Sequence, residues 1–181
     1  MHTPLAELSP LWADHLPVTP IGPLTVVVSS VGLVQLNFAA LPKVVAKLRT
    51  WLAPSEHPAP SHLATALQQL AEYLDGQRRK FDLPIDWRAV PEFSAAALRA
   101  VAAIPCGQVR TYGEVAAGMG LASGARAVGQ AMASNPIPII LPCHRVVGAD
   151  RRLHGYTGLN GIETKAWLLK LEGSTFQSQL F

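Results

Sequence analysis

Cysteine is nearly absent. The 181 residues hold two, Cys106 and Cys143, with no C-x-x-C spacing and no close partner. That excludes a disulfide scaffold and a thiolate metal centre, and fits the reduced interior of a cell and a cytoplasmic protein. The six histidines are scattered and add no metal-ligand cluster. Long apolar runs are missing too. The most apolar stretch, residues 26–36, is broken by Ser29, Ser30, Gly32 and Gln35, and is too short to span a bilayer. The opening residues, MHTPLAELSPLWADHLP, carry neither a basic n-region nor an apolar h-region and do not read as a signal peptide. Charge of one sign is also scarce, the net value being +3. Its distribution says more: 7 Lys+Arg against 8 Asp+Glu before Ser94, and 8 against 4 from Ser94 onward. A basic second half permits a nucleic-acid partner without establishing one. What the chain has is apolar residue, 49% of it, enough to bury the core of one domain or of two small ones.

The first half reads as mixed α/β. "LTVVVSSVGLVQLNF" (residues 24–38) is two β-branched-rich strands about a Gly-containing turn, a hairpin. Residues 41–52 look helical and "APSEHPAP" (53–60) is a linker. Ser61 is placed to cap an Ala/Leu/Gln-rich helix that stops at Gly76, and residues 81–83 read as a strand. The boundary between halves falls at Val90-Pro91, ahead of an Ala-rich helix over 93–104 that Pro105 ends.

Next comes "RTYGEVAAGMGLASGARAVGQAMASNP" (110–136). Thr111 with Glu114 three residues on forms a capping box for a short helix, which Gly118 and Gly120 end. Ser123 is placed to cap a second helix over 124–133, stopped by Asn135-Pro136. Two short helices about a Gly-rich turn make a helix-turn-helix candidate, and equally an ordinary αα corner. One residue favours the first reading: Arg126 lies in the first turn of the second helix, where the helix dipole disfavours a cation. Gly129, one turn on, leaves room for another backbone to approach.

Cys143 lies in "NPIPIILPCHRVV" (135–147), between a proline and a histidine at the end of an apolar run. A free thiol is mostly protonated at neutral pH and reacts when a neighbour takes or stabilises its proton. His144 follows directly, and Glu172 could hold the imidazole in one tautomer, giving a Cys-His-Glu relay. The same residues also fit a small core hydrophobe beside a satisfied histidine. Neighbouring side chains on a strand point to opposite faces, so the relay requires Pro142 to turn the chain. Cys106, in "IPCGQV", has no histidine nearby and reads as structural.

With these residues in view, the chain resembles the methylated-DNA–protein-cysteine methyltransferases, which repair O6-alkylguanine. "PCHRVV" matches the family's active-site signature and is specific. "IPCGQVRTYGEVA", "ARAVG", "GYTG" and "KAWLLKLEG" are similar to its other blocks in the same order, and "TPIGPLTVVVSSVGLVQLNF" to its N-terminal hairpin. The match runs from about Pro17 to Gly173. The resemblance implies an RNase H-like α/β subdomain over residues 1–90. Over 91–181 it implies a winged-helix-like domain with a helix-turn-helix, for DNA binding and alkyl transfer. It makes Cys143 the alkyl acceptor, with His144 relaying the proton through a water and Glu172 behind it. Asn135 would hold the active-site turn. On the DNA side it implies Arg126, entering the base stack where a nucleotide is flipped out, and with it Ala125, Ala127 and Gly129. Tyr112 would push the base out and touch its edge. The carbonyls of Cys143 and Val146 would take the guanine amino group, while Tyr156, Thr157 and Lys165 would complete the substrate pocket. The partner would be double-stranded DNA carrying O6-alkylguanine, met by a monomer without cofactor or metal.

The chain departs from the family pattern in "GYTGLNG" (155–161). There the usual Gly-Gly is split and Lys165 sits two residues farther on. In the helix after the boundary, Phe93-Ser94 and Leu98 stand where the family often has Phe-Gln and Trp. Two other readings compete: a DNA-binding module that recognises lesions without using Cys143, and a Cys-His hydrolase. The second lacks any marked oxyanion hole.

Overall fold

The computed structural model describes residues 3–54 and 56–174, which include every candidate site residue. The chain divides into two compact units, Met1–Pro91 and Glu92–Phe181, in a mixed α/β architecture. No helix among the described residues is long and apolar enough to cross a membrane.

The first unit is built on an antiparallel sheet in the order β1 (Trp12–Leu16), β2 (Leu24–Val28), β3 (Leu33–Asn37). β2 is buried at every position. A strand buried on both faces carries apolar, β-branched residues without alternation, which is why this one is Val-rich. On one face Val27 and Val34 pack with Val44 and Leu48 of α1 (Leu41–Leu48), and with Leu8 and Leu11. The second helix of the unit, α2 (Ser61–Leu74), packs against β1 and β2. The hairpin 24–38 therefore forms as its β-branched pattern indicates. β1, which the sequence reading left out, completes the sheet from the half-exposed run WADHL.

Two local expectations are corrected. Residues 81–83 form no strand; pairing occurs farther on, as a single parallel bridge of Ile85 with Leu33. The Leu33 amide donates to the Pro84 carbonyl at 2.8 Å, and the Asp86 amide to Leu33 at 2.9 Å. Gly32 makes this approach feasible, since a Cβ there would lie 2.6 Å from the Pro84 oxygen. Ser61 is the first residue of α2 rather than its cap; Pro60 holds the cap position and no side chain caps the helix.

The second unit contains α3 (Glu92–Ala102), β4 (Arg110–Thr111), α4 (Tyr112–Gly118), α5 (Ala125–Ala133), β5 (Val146–Val147) and α6 (Ile162–Leu171). β4 and β5 form a short parallel pair, tying the start of α4 to the segment just after Cys143. The capping box is present: the Thr111 hydroxyl accepts from the Glu114 amide at 3.1 Å, and the Glu114 carboxylate accepts from the Thr111 amide. Ser123 makes no cap, because Gly124 holds that position for α5. A Cβ on Gly124 would meet Leu121 Cβ at 2.7 Å, so the turn between the two helices is too tight for a side chain there. α4 and α5 pack on each other and on α3.

Candidate active site

The segment leading to the thiol is held in an unfavourable shape. Ile139 has φ 72°, a left-handed conformation that a β-branched residue rarely adopts, and its side chain is fully buried. Asn135 spans the distortion. Its Oδ1 accepts from the Ile137 amide at 3.0 Å and its Nδ2 donates to the Leu141 carbonyl at 2.8 Å. Asn135→Ala leaves a buried donor and a buried acceptor short of a partner. We expect about 1–3 kcal/mol of lost stability, measured by denaturant unfolding, together with slower reaction at Cys143.

After Pro142 the chain turns into a short 3-10 helix, Cys143–Arg145, instead of continuing extended. The turn sends consecutive side chains in directions a strand would not allow. Cys143 lines a cavity of about 390 Å³ with Tyr112, Gly129, Met132, Ala133, His154, Gly155, Tyr156 and Thr157. His144 and Arg145 instead turn into the protein, towards Glu172.

Glu172 is the centre of that buried cluster. Its Oε1 accepts from His144 Nε2 at 3.0 Å and from Arg145 Nη2 at 2.7 Å, and its Oε2 from Arg145 Nε at 3.0 Å and the Gly107 amide at 3.2 Å. Arg145 Nη1 donates to the Ile104 carbonyl at 2.6 Å. Gly107 lies at φ 83°, and a Cβ there would sit 3.0 Å from the Glu172 carbonyl, so this approach needs glycine. Burial pushes the Glu172 carboxyl up, but the hydrogen bonds and charges of His144 and Arg145 outweigh it and hold it well below the usual carboxylate range. Burial drives the His144 imidazole below its ordinary 6.5, against the pull of Glu172. A neutral imidazole facing an ionised carboxylate carries its proton on Nε2 and keeps a lone pair on Nδ1. Nδ1 is buried and has no hydrogen-bond partner among the described residues.

Burial pushes the Cys143 thiol up, offset in part by an Asn135 side-chain hydrogen bond and the charge of Lys165. The resting group is therefore a thiol, and to act as a nucleophile it would have to lose its proton. Burial likewise raises the Tyr112 hydroxyl and takes that of Tyr156 well above its ordinary 10, with the charge of Cys143 adding to both. Both phenols stay protonated beside the sulfur and can donate. Lys165 is fully buried at the start of α6 and does not line the cavity. Its Nζ donates to the carbonyls of Val146 at 2.6 Å and His154 at 3.2 Å. Burial lowers it to about 8. The Val146 carbonyl thus has one donor already, as does that of Cys143, which accepts from the Val146 amide. Each keeps a second lone pair.

The structure thus brings Cys143, Tyr112, Gly129, Tyr156 and Thr157 to one cavity, with Asn135, His144, Glu172, Val146 and Lys165 supporting its walls. Arg126, Ala125 and Ala127 lie in the first turn of α5 and outside the cavity lining, with Arg126 exposed. Tyr112 links the two sets: a Cβ on Gly129 of α5 would lie 3.9 Å from its ring. The split glycines of 155–161 are absorbed in a turn that joins the Gly161 amide to the Gly158 carbonyl at 2.9 Å, and Lys165 still reaches Val146. Sequence reasoning missed Arg145 and the lining residues Met132, Ala133, His154 and Gly155. The only signal for Arg145 was a third polar residue after Cys143-His144 that no solvent-exposed pattern explained.

Two family models match the chain: the DNA-binding domain of 6-O-methylguanine DNA methyltransferase over residues 92–174, and its ribonuclease-like domain over residues 15–87. The methylated-DNA–protein-cysteine methyltransferase of Mycobacterium tuberculosis is 40% identical over 162 residues, spanning 90% of this chain and 93% of the relative. That of Methanosarcina acetivorans is 38% identical over 156 residues, spanning 86% and 95%. Among solved structures, the M. tuberculosis OGT in complex with DNA is similar with a TM-score of 0.74 at 38% identity, covering 88% of this chain and 91% of that one. The O6-methylguanine-DNA methyltransferase of Pyrococcus kodakaraensis is similar with a TM-score of 0.63 at 28% identity, covering 90% and 99%.

Proposed function

Because the chain belongs to the family of methylated-DNA–protein-cysteine methyltransferases, we propose that it repairs O6-alkylguanine in double-stranded DNA by moving the alkyl group onto its own Cys143. The observation that carries this reading is a buried thiol on the wall of a cavity, backed by a buried His144–Glu172–Arg145 cluster.

The target carbon lies inside the duplex, so the nucleotide must leave the stack, which costs a few kcal/mol. A damaged, poorly paired base costs least, and this supplies part of the selectivity. α4 and α5 form the helix-turn-helix that meets the DNA, with Ala125, Ala127 and Gly129 at the backbone and Arg126 in the gap left by the flipped base. The second unit does the binding and the chemistry; the first is the RNase H-like subdomain.

In the pocket the second lone pairs of the Cys143 and Val146 carbonyls take the guanine amino group. Lys165 is a positioning residue, since its amine fixes the Val146 carbonyl and, through His154, the cavity wall. His144 accepts the thiol proton at Nδ1 through a bridging water, and Glu172 and its hydrogen bond fix the tautomer that makes this feasible. The sulfur then attacks the alkyl carbon. The carbon–O6 bond breaks, its electron pair passes to the guanine, and a proton returns to the base. Tyr112 and Tyr156 donate to the charge that develops there. Thr157 lines the same wall. The product is a thioether, which neither water nor a second thiol reverses, so each molecule acts once. The methyl donor is the DNA and no cofactor is required. Mixing the protein with duplex carrying tritiated O6-methylguanine tests the reading: label should move to protein and stop at one equivalent.

Arg126→Ala separates flipping from transfer. We expect at least a tenfold slower repair of duplex, in line with about 1.4 kcal/mol or more of lost support for the extrahelical state. The reaction with free O6-alkylguanine base should be unchanged within twofold. Equal losses on both substrates in single-turnover assays would remove Arg126 from the flipping step.

A further inference from the structure

The loop 148–155 forms one edge of the cavity. His154 and Gly155 are part of the lining, and Arg151 reaches across to Glu114 of α4 at 3.7 Å, two residues from the lining residue Tyr112. The loop is a built turn. The Gly148 amide donates to the Arg152 carbonyl and the Arg151 amide to the Gly148 carbonyl, both at 3.0 Å. Asp150 Oδ1 accepts from the Arg152 amide at 3.0 Å and pairs with His154 Nε2 at 2.9 Å. The loop's one carboxylate is therefore occupied internally. Its two arginines are exposed; the Arg152 guanidinium makes no ion-pair contact within 4.0 Å among the described residues, although its charge acts on Asp150 of the same loop. The 3.7 Å contact of Arg151 with Glu114 joins two exposed groups and is too long and too solvated to hold the guanidinium. Arg110, also exposed, lies near the same Glu114.

Arg151 has φ 58°, the left-handed conformation in which glycine is at ease and a long side chain is not. Residues in such conformations cluster at functional sites, which points to a use for this side chain. A nucleotide that enters the cavity stays covalently joined to its neighbours, so its two flanking phosphates are drawn to the cavity's edge. Arg126 stands exposed in the first turn of α5, the helix that gives Gly129, Met132 and Ala133 to the lining. Arg151 and Arg152 stand exposed on the loop that gives it His154 and Gly155.

We propose that Arg151 and Arg152 form a phosphate clamp on the loop 148–155, gripping the DNA backbone beside the nucleotide held in the cavity. The inference rests on the function proposed above and adds a second DNA contact to it. Guanidinium groups suit the task, since their planar forks bind phosphate oxygens in pairs. The clamp supplies affinity and position without reading sequence.

The test is the double variant Arg151→Gly/Arg152→Gln. Glycine fits the local φ, so the thermal midpoint should not fall, and a binding loss then cannot be laid to unfolding. With excess duplex carrying one O6-methylguanine, the half-saturating DNA concentration should rise about tenfold while the maximal single-turnover rate stays within twofold. The slope of log affinity against log salt should become shallower by about 2, or about 0.9 for each phosphate contact removed. A half-saturation within twofold of the parent with an unchanged salt slope overturns the clamp. So does a fall in maximal rate alone, which would place the loop at the chemistry. If the parent protein transfers no methyl group, the proposed reaction fails by itself, and the clamp is still judged from affinity and salt slope.

Discussion

Cys143→Ser removes methyl transfer while the protein still binds lesion-containing duplex. The exchange keeps shape and hydrogen-bonding capacity on the cavity wall and changes the nucleophile. Burial already holds the thiol above its ordinary 9.0, and a hydroxyl starts several units higher. His144, whose imidazole burial holds below its ordinary 6.5, cannot deprotonate it to any useful extent. We expect transfer to fall by at least about a thousandfold, the scale on which removal of a nucleophile is felt. DNA affinity should stay within about threefold, because the proposed DNA contacts, to phosphates and through α5, lie away from the sulfur. Cys106→Ser is the control. Cys106 is half-buried between Pro105 and Gly107 and does not line the cavity, so its loss should leave transfer near normal. If Cys106→Ser proved the dead variant, the nucleophile would be misassigned.

Glu172→Gln should be the most destabilising conservative change in the second unit. The amide keeps the shape but leaves the Arg145 guanidinium buried without a counter-charge, next to His144. Breaking a buried pair in this way costs about 3–5 kcal/mol, a large share of the ~5–15 kcal/mol that keeps a domain folded. The loss should show as a lower urea midpoint with an unchanged m-value. Adding Arg145→Met to Glu172→Gln removes the stranded charge and should recover part of the stability. A double variant no better than the sum of the singles would mean that the charge pair is not the source of the loss. Transfer should stay slow even in the recovered double variant, since His144 has lost its anchor.

The same cluster fixes the sign of the pH response. The folded-state pKa of Glu172 is depressed, so its contribution is complete above the ordinary 4.5 and is lost as pH falls through the folded value. His144 acts in the same direction from higher up. Its folded pKa lies below 6.5, so acidification below 6.5 protonates the unfolded chain first. Stability should therefore fall steadily from about pH 6.5 downward, and Glu172→Gln should flatten the fall below pH 4.5.

What could be read from the sequence was what is local. The hairpin 24–38 announces itself because β2 is buried on both faces and so is Val-rich throughout. The Thr111–Glu114 box is legible because its hydrogen bonds span three residues. β1 was not legible, because its half-exposed run has no clean alternation, and its register is set by β2. Ser61 and Ser123 fail as caps because the chain enters each helix one residue away from where the hydroxyl could reach an amide. At the site, Cys143 and His144 stand out by adjacency and by their resemblance to a known signature. The place of Arg145 depends on Glu172, 27 residues later, and on the Ile104 carbonyl, 41 residues earlier. Lys165 carries the clearest lesson. A lysine near a pocket in sequence suggests contact with substrate, but full burial turns its amine towards two backbone carbonyls that shape the wall.

The measurement that bears most directly on the account is the intact mass of the protein after mixing with excess duplex carrying a single O6-methylguanine, followed by peptide mapping. The account predicts a gain of one methyl group, located on Cys143, that does not increase with more DNA or time. An unchanged mass under conditions where the duplex is bound, or a methyl group on any other residue, would contradict it.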